Sequence, residues 1–181
     1  MAETVSFLDD APRRCGFIAV IGAPNAGKST LINRLVGVKI SIVTPKVQTT
    51  RSRILGVARL GEIQMVYVDT PGIFEPKRRL ERAMVAAAWG GAADADEVVV
   101  LVDSKQGRGR DVERIVAGFK QSGRRAILAL NKVDLVRREK LLDLAAGFDA
   151  DDVFTHTFMI SALTGDGVED LRDELAARLP E

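Results

Sequence analysis

From residue 17 to the end of the chain, short apolar runs alternate with amphipathic stretches of helical length, a rhythm compatible with few folds. Strand-length runs lie at 17–21, 53–59, 63–68, 98–102, 126–130 and 153–160, and helical stretches at 28–35, 80–89, 111–121, 138–146 and 168–179. Runs such as Val98 to Val102, apolar at every position, suit strands buried on both faces, as in a parallel sheet covered by helices. Gly61 and Glu62, between the second and third runs, predict a hairpin. The expected architecture is therefore α/β, three layers deep, around a mostly parallel six-stranded sheet. Residues 1–14 read as an N-terminal tail and 15–181 as one domain, with 38–52 a long loop in which Pro45 sits among Thr, Gln and Arg without periodicity.

Charge and composition exclude several classes of function. With 26 Lys plus Arg against 25 Asp plus Glu, the net charge is +1, so nucleic acid or anionic lipid would need a local patch. One cysteine, Cys15, and one histidine, His156, exclude an internal disulfide and a zinc cluster. No apolar run approaches the length of a membrane span, and the N-terminal residues do not follow a secretory signal. The cytoplasm is the expected compartment.

Five sequence segments carry chemistry. Gly22, Ala23, Pro24, Asn25, Ala26, Gly27, Lys28 and Ser29 fit G-x-x-x-x-G-K-S/T between a strand and a helix, the context of a phosphate-binding loop. Its glycines let backbone N–H groups turn toward phosphate oxygens and the helix N-terminus adds its dipole. Lys28 can then reach the β and γ phosphates, while Ser29, followed by Thr30, offers a hydroxyl to magnesium. Asn131, Lys132, Val133 and Asp134 follow the fifth strand, at the carboxyl edge where α/β sheets bind ligands. Asp134 can accept from guanine N1–H and the 2-amino group together, a match adenine lacks. Asn131 can tie this loop to the phosphate loop, and the Lys132 stem can lie over the base. Ser161, Ala162 and Leu163 follow the last strand, where the Ala162 N–H would meet guanine O6.

Asp69, Thr70, Pro71 and Gly72 close the third strand. An aspartate there can hold magnesium through water, and the Gly72 N–H can contact a γ phosphate and lose that contact after hydrolysis. In the long loop, Gln48, Thr49 and Thr50 offer a hydroxyl to complete the magnesium shell, with Thr50 preferred. Together these point to a P-loop NTPase of the small-GTPase type. The rivals are a P-loop ATPase or kinase, which Asn131 to Asp134 oppose, and a docking module for which turnover serves only as a timer.

The wording of these segments resembles the bacterial Era GTPases. The likeness rests on Gly22 to Thr30, Ile40 to Val43, Gln48 to Arg51, Tyr67 to Gly72 and Asn131 to Asp134, and it covers nearly the whole chain. It implies GTP and GDP as ligands with Mg²⁺. It also implies a following KH domain that binds 16S rRNA of the 30S subunit during assembly, with possible roles at the inner membrane. Such a KH domain is not found before Glu181, so we expect a monomeric GTPase domain from a longer protein. Another TrmE-Era-like assembly GTPase is the alternative. Many GTPases orient the attacking water with a glutamine after the second glycine motif, but here Ile73 follows Gly72. Turnover should accordingly be slow. Asn25 stands where potassium-stimulated relatives carry an asparagine, and K⁺ bridging phosphate oxygens would add positive charge where it is needed.

Other residues are assigned blander roles. Arg51 and Arg53 read as loop charges, while Lys77, Arg78, Arg79 and Arg82 read equally as a contact for RNA or a partner and as a solvated basic loop balanced by Glu75 and Glu81. Trp89, expected to end its Ala-rich helix, reads as packing rather than a stacking platform. His156 and Cys15 are given no catalytic part, and Cys15 is expected to precede the first strand.

Overall fold

The structure, a computed structural model, describes residues 13–37, 53–70, 73 and 79–181. In chain order the elements are β1 (Arg14–Gly22), α1 (Lys28–Val36), β2 (Arg53–Leu60), β3 (Ile63–Asp69), α2 (Arg79–Ala93), β4 (Glu97–Asp103), α3 (Arg110–Ser122), β5 (Ala126–Asn131), α4 (Arg138–Asp149), β6 (Phe154–Met159) and α5 (Val168–Arg178). The six strands form one sheet in the order β2-β3-β1-β4-β5-β6. Only β2 runs against its neighbour, joined to β3 through Gly61 and Glu62, so the expected hairpin and the mostly parallel sheet are both present.

Burial on both faces explains the all-apolar runs. Along β1, Ile18 and Val20 face a core shared with Leu31 and Leu35 of α1 and Leu171 and Leu175 of α5. Ala19 and Ile21 face the opposite core, with Ala88 of α2, Ile115 and Phe119 of α3, and Phe148 of α4. Successive residues therefore serve different layers, and a polar side chain at either parity would lose solvation inside the protein. Trp89 packs edge-on against Phe119 with ring centroids 5.6 Å apart, a packing role as expected.

Several boundaries differ from the sequence reading. β1 begins at Arg14, so Cys15 lies within the strand and is exposed, rather than preceding it. Arg14, Cys15 and Gly16 pair with Ile63, Gln64 and Met65, and backbone pairing of this kind leaves no apolar signature. Phe17, which opens the run read as a buried strand, is 45% exposed within β1. Helix α2 continues through Gly90 to Ala93 instead of ending at Trp89, because Ala92 is buried against the second core. Of the expected tail, 1–14, residues 1–12 lie outside the described residues, while Arg13 is hydrogen-bonded to Glu62 and Arg14 opens β1, so the domain begins earlier than expected. The long loop, 38–52, also lies outside the described residues. Among the described residues no helix is long and apolar enough to cross a membrane.

Candidate functional site

In this strand order β1 lies at the centre with β3 and β4 on either side, so the loops leaving β1, β4 and β5 converge at one edge. The loop after β1 is shaped by backbone sign. Asn25 and Gly27 have φ of +64° and +102°, and Ala26 N donates to the Ala23 carbonyl at 3.2 Å. A Cβ at Gly27 would collide with the Asn131 side-chain amide, and one at Gly22 would come within 2.6 Å of the Leu101 carbonyl oxygen. Both glycines are therefore required by the close approach of neighbouring chain. Lys28 opens α1, and its Nζ donates to the carbonyls of Gly22 at 3.3 Å and Ala23 at 3.1 Å. Ser29 and Thr30, in the first turn of α1, are exposed.

Asn131, the last residue of β5, is only 2% exposed and joins three segments. Its Nδ2 donates to the Ala26 carbonyl at 2.9 Å, and its Oδ1 accepts from the Ala162 N–H, also at 2.9 Å. The tie from Asn131 to the phosphate loop is therefore present. The Ala162 N–H, expected to face guanine O6, is instead satisfied by Asn131, because a buried amide must find an acceptor. Ser161 is fully buried, and its hydroxyl accepts from Thr164 N at 3.2 Å, while Leu163 is 72% exposed. Asp134 lies exposed in a short 3-10 turn, Val133–Leu135.

Lys132 has a φ of +64°, and its Nζ donates to the Asn25 carbonyl at 3.0 Å and to Asp103 Oδ2 at 2.6 Å. Burial pushes the Asp103 carboxyl up, but Lys132 and the backbone N–H groups of Lys105 and Gln106 outweigh it and hold the group below its ordinary range. Arg34 of α1 braces the last loop from another side, donating to the carbonyls of Ala162 at 3.3 Å and of Leu163. The sequence reading assigned no role to either Asp103 or Arg34. For Asp103 a signal existed: one acid ending the apolar strand β4 at the ligand-binding edge.

At the end of β3 the placement is less direct. Thr70 is buried and its hydroxyl donates to the Val20 carbonyl, so its side chain secures the sheet rather than facing a ligand. Ile73 is 1% exposed within the second core, and its N–H donates to the Gly22 carbonyl at 3.0 Å. The backbone of Asp69 pairs with Arg53. Gln48, Thr49, Thr50, Pro71 and Gly72, together with the Asp69 side chain, lie outside the described residues.

Residues 17–132 match the 50S ribosome-binding GTPase family. The chain belongs to that family. Within it, the GTPase Era of Rhizobium meliloti is 59% identical over 170 residues, covering 94% of this chain and 54% of the relative. Era of Agrobacterium fabrum is 56% identical over 170 residues, with 94% and 54% covered. This chain thus spans a little over half the length of these relatives. Among solved structures, Era in complex with MgGDPNP and nucleotides 1506–1542 of 16S ribosomal RNA superimposes with a TM-score of 0.78 at 36% identity, covering 93% of this chain and 58% of that one. A variant of Aquifex aeolicus Era bound to GDP·AlF4⁻ gives 0.76 at 38% identity, with 93% and 58% covered. The likeness to Era read from the motifs is upheld, and so is the small-GTPase fold.

Proposed function

We propose that this GTPase domain binds GTP and GDP together with magnesium, hydrolyses GTP slowly, and acts within a longer protein of small-subunit ribosome assembly. The observation that carries the nucleotide assignment is Asn131, whose one buried amide joins the phosphate loop at Ala26 to the base loop at Ala162. Phosphates would lie along Gly22 to Thr30, with Lys28 exchanging its carbonyl partners for β and γ oxygens. Asp134 would take the guanine edge, while Ser161, Ala162 and Leu163 complete the base loop. In this reading Gln48 to Thr50 and Asp69 to Gly72 form the two switch segments.

The oxygen donors fit magnesium, a hard cation: the exposed Ser29 hydroxyl lies in the first turn of α1, and Thr50 and Asp69 complete the proposed set. When bound, the ion would neutralise charge on the β and γ phosphates. Lys28 and the Gly72 N–H would stabilise the developing charge, and Asn25 would hold a potassium ion that supplies one further positive charge. The buried Ile73 side chain cannot orient water, which supports a slow intrinsic rate. An arginine finger contributes about 10³ to 10⁵ in rate elsewhere, so a partner has ample room to accelerate it. For the longer protein we propose 16S rRNA and the 30S subunit as partners, in the cytoplasm or peripheral to the inner membrane, with this domain monomeric. The Era complex with 16S rRNA supports that partner class.

Calorimetric titration with GTP, GDP and ATP, followed by phosphate release in KCl and NaCl at equal ionic strength, tests the assignment. The expected result is guanine-selective binding and slow turnover that is faster in potassium. Equal affinity for ATP would overturn the guanine assignment, and equal rates in the two salts would remove the potassium role. Binding of 30S subunits by the full-length protein in the GTP-analogue and GDP states tests the assembly role, and state-independent or absent binding would defeat it.

A further inference from the structure

We infer that Asp103, outside every nucleotide-binding motif, is a positioning residue for guanine-nucleotide retention that acts by fixing the ammonium of Lys132 against the phosphate loop. The inference rests on the GTP-binding reading above and concerns how that site is held ready.

Strand register sets the arrangement. Asp103 and Asn131 are paired at the carboxyl ends of β4 and β5, so the acid lies beside the start of the guanine loop. Its side chain is 11% exposed, and both carboxylate oxygens are engaged. Oδ1 accepts from Lys105 N at 2.9 Å and Gln106 N at 3.4 Å, fixing the carboxylate to the turn before α3. Oδ2 receives the Lys132 ammonium at 2.6 Å, and the same nitrogen reaches the Asn25 carbonyl at 3.0 Å. Three loops from three strands thus meet at one nitrogen.

Electrostatics explains why this contact matters for a nucleotide. An acid close to a polyphosphate site opposes binding unless it is neutralised, and Lys132 neutralises it. Lys132 then works less as a phosphate charge than as a fixed stem over the base. A lysine has four rotatable side-chain bonds and loses much freedom when held, so a preset partner lowers the cost of ordering it around the ligand. Since the pair lies at the base end, its removal should weaken GTP and GDP retention by the same factor. Lys132 also has a left-handed backbone that its side-chain anchors help to hold.

The test is dissociation of fluorescent GDP and of a fluorescent GTP analogue from the full-length protein, comparing wild type, Asp103→Asn, Lys132→Ala and the double variant. Asp103→Asn keeps the shape and an acceptor for the turn while removing the charge. Loss of one charge-assisted hydrogen bond at a partly exposed lysine is expected to speed dissociation of both nucleotides about tenfold, at an unchanged GTP-to-GDP ratio. The double variant should release nucleotide no faster than Lys132→Ala, because Asp103 acts through that lysine. Asp103→Glu, with the charge one methylene farther out, should recover part of the retention, and it also serves if Asp103→Asn does not fold. Wild-type rates in Asp103→Asn, or multiplied effects in the double variant, would overturn the inference. A wild-type protein that retains no guanine nucleotide would instead overturn the reading beneath it.

Discussion

At the base end of the cleft, side chains from separate elements reach across to hold one another, whereas at the phosphate end the loop holds itself. Asn131 spans from β5 to Ala26 and Ala162, Lys132 joins Asp103 to Asn25, and Arg34 reaches from α1 to the carbonyls of Ala162 and Leu163. Around Gly22 to Lys28 the contacts stay mostly local: Ala26 N to Ala23, and Lys28 Nζ to Gly22 and Ala23. The difference assigns separate costs. Base recognition is organised before a nucleotide arrives, and substitutions there should lower stability as well as affinity. At the phosphate end Lys28 would exchange carbonyl partners for ligand oxygens, so its substitution should affect affinity far more than stability, whereas Gly22 and Gly27 are fixed by the close approach of Leu101 and Asn131.

Lys28→Ala provides the largest expected contrast. Removing its charge-assisted contacts to the β and γ phosphates should weaken GTP by more than about a hundredfold in calorimetry. The melting temperature of the nucleotide-free protein should barely move. Asn131→Ala should do what Lys28→Ala does not. It strands the buried Ala26 carbonyl and Ala162 N–H, at about 1 to 3 kcal/mol each, and a denaturant midpoint unchanged from wild type would refute the bracing role.

Asp134→Asn should shift base preference toward xanthine by roughly tenfold or more, because the amide replaces one acceptor oxygen with a donor that matches the xanthine 2-oxo group. Competition binding of GTP against xanthosine triphosphate reads that exchange, and the exposed side chain predicts almost no change in stability. Arg34→Ala should weaken GTP and GDP alike by only about two- to fivefold, since its side chain is exposed and its partners are backbone carbonyls. A selective loss of GTP would contradict its placement at the base end.

The smallest expected effect concerns acid. The Asp103 pKa is held below the ordinary 3.8, so the native protein keeps this carboxylate charged where the unfolded chain has taken up a proton. Its stabilising contribution is complete above about pH 5 and declines as pH falls through the lowered pKa. Wild type should therefore exceed Asp103→Asn in stability by a constant margin from pH 5 to 7, with the margin shrinking below the ordinary carboxylate pKa. A margin that grows toward acid would reverse the sign of the argument.

Strands such as β1, β4 and β5 were legible because each carries apolar residues where two cores demand them, as at Val98 to Val102. The extension of β1 back to Arg14 was not, because its pairing with β3 uses backbone groups that every residue possesses. The end of α2 was expected at Trp89, but the buried Ala92 carries the helix on to Ala93. For the site, the phosphate loop and Asn131 were legible because both are dictated by the chemistry they serve. The anchoring of Thr70 was not legible, since its hydroxyl donates to the carbonyl of Val20, a residue 50 positions earlier. Arg34 was invisible because its partners lie 128 and 129 residues along the chain.

By itself the sequence determined the alternation of strands and helices, the turn-forming phosphate loop, and the donors and acceptors offered to a guanine nucleotide. These depend on residue type and short spacing, which local backbone geometry converts directly into structure. Only the tertiary structure decided which loops touch. Strand order places β1 beside β4, and register sets Asp103 against Asn131. That neighbourhood turns an unremarked acid and a motif lysine into one fixed pair, because hydrogen bonds between distant segments depend on packing in three dimensions and leave no periodic trace in the chain.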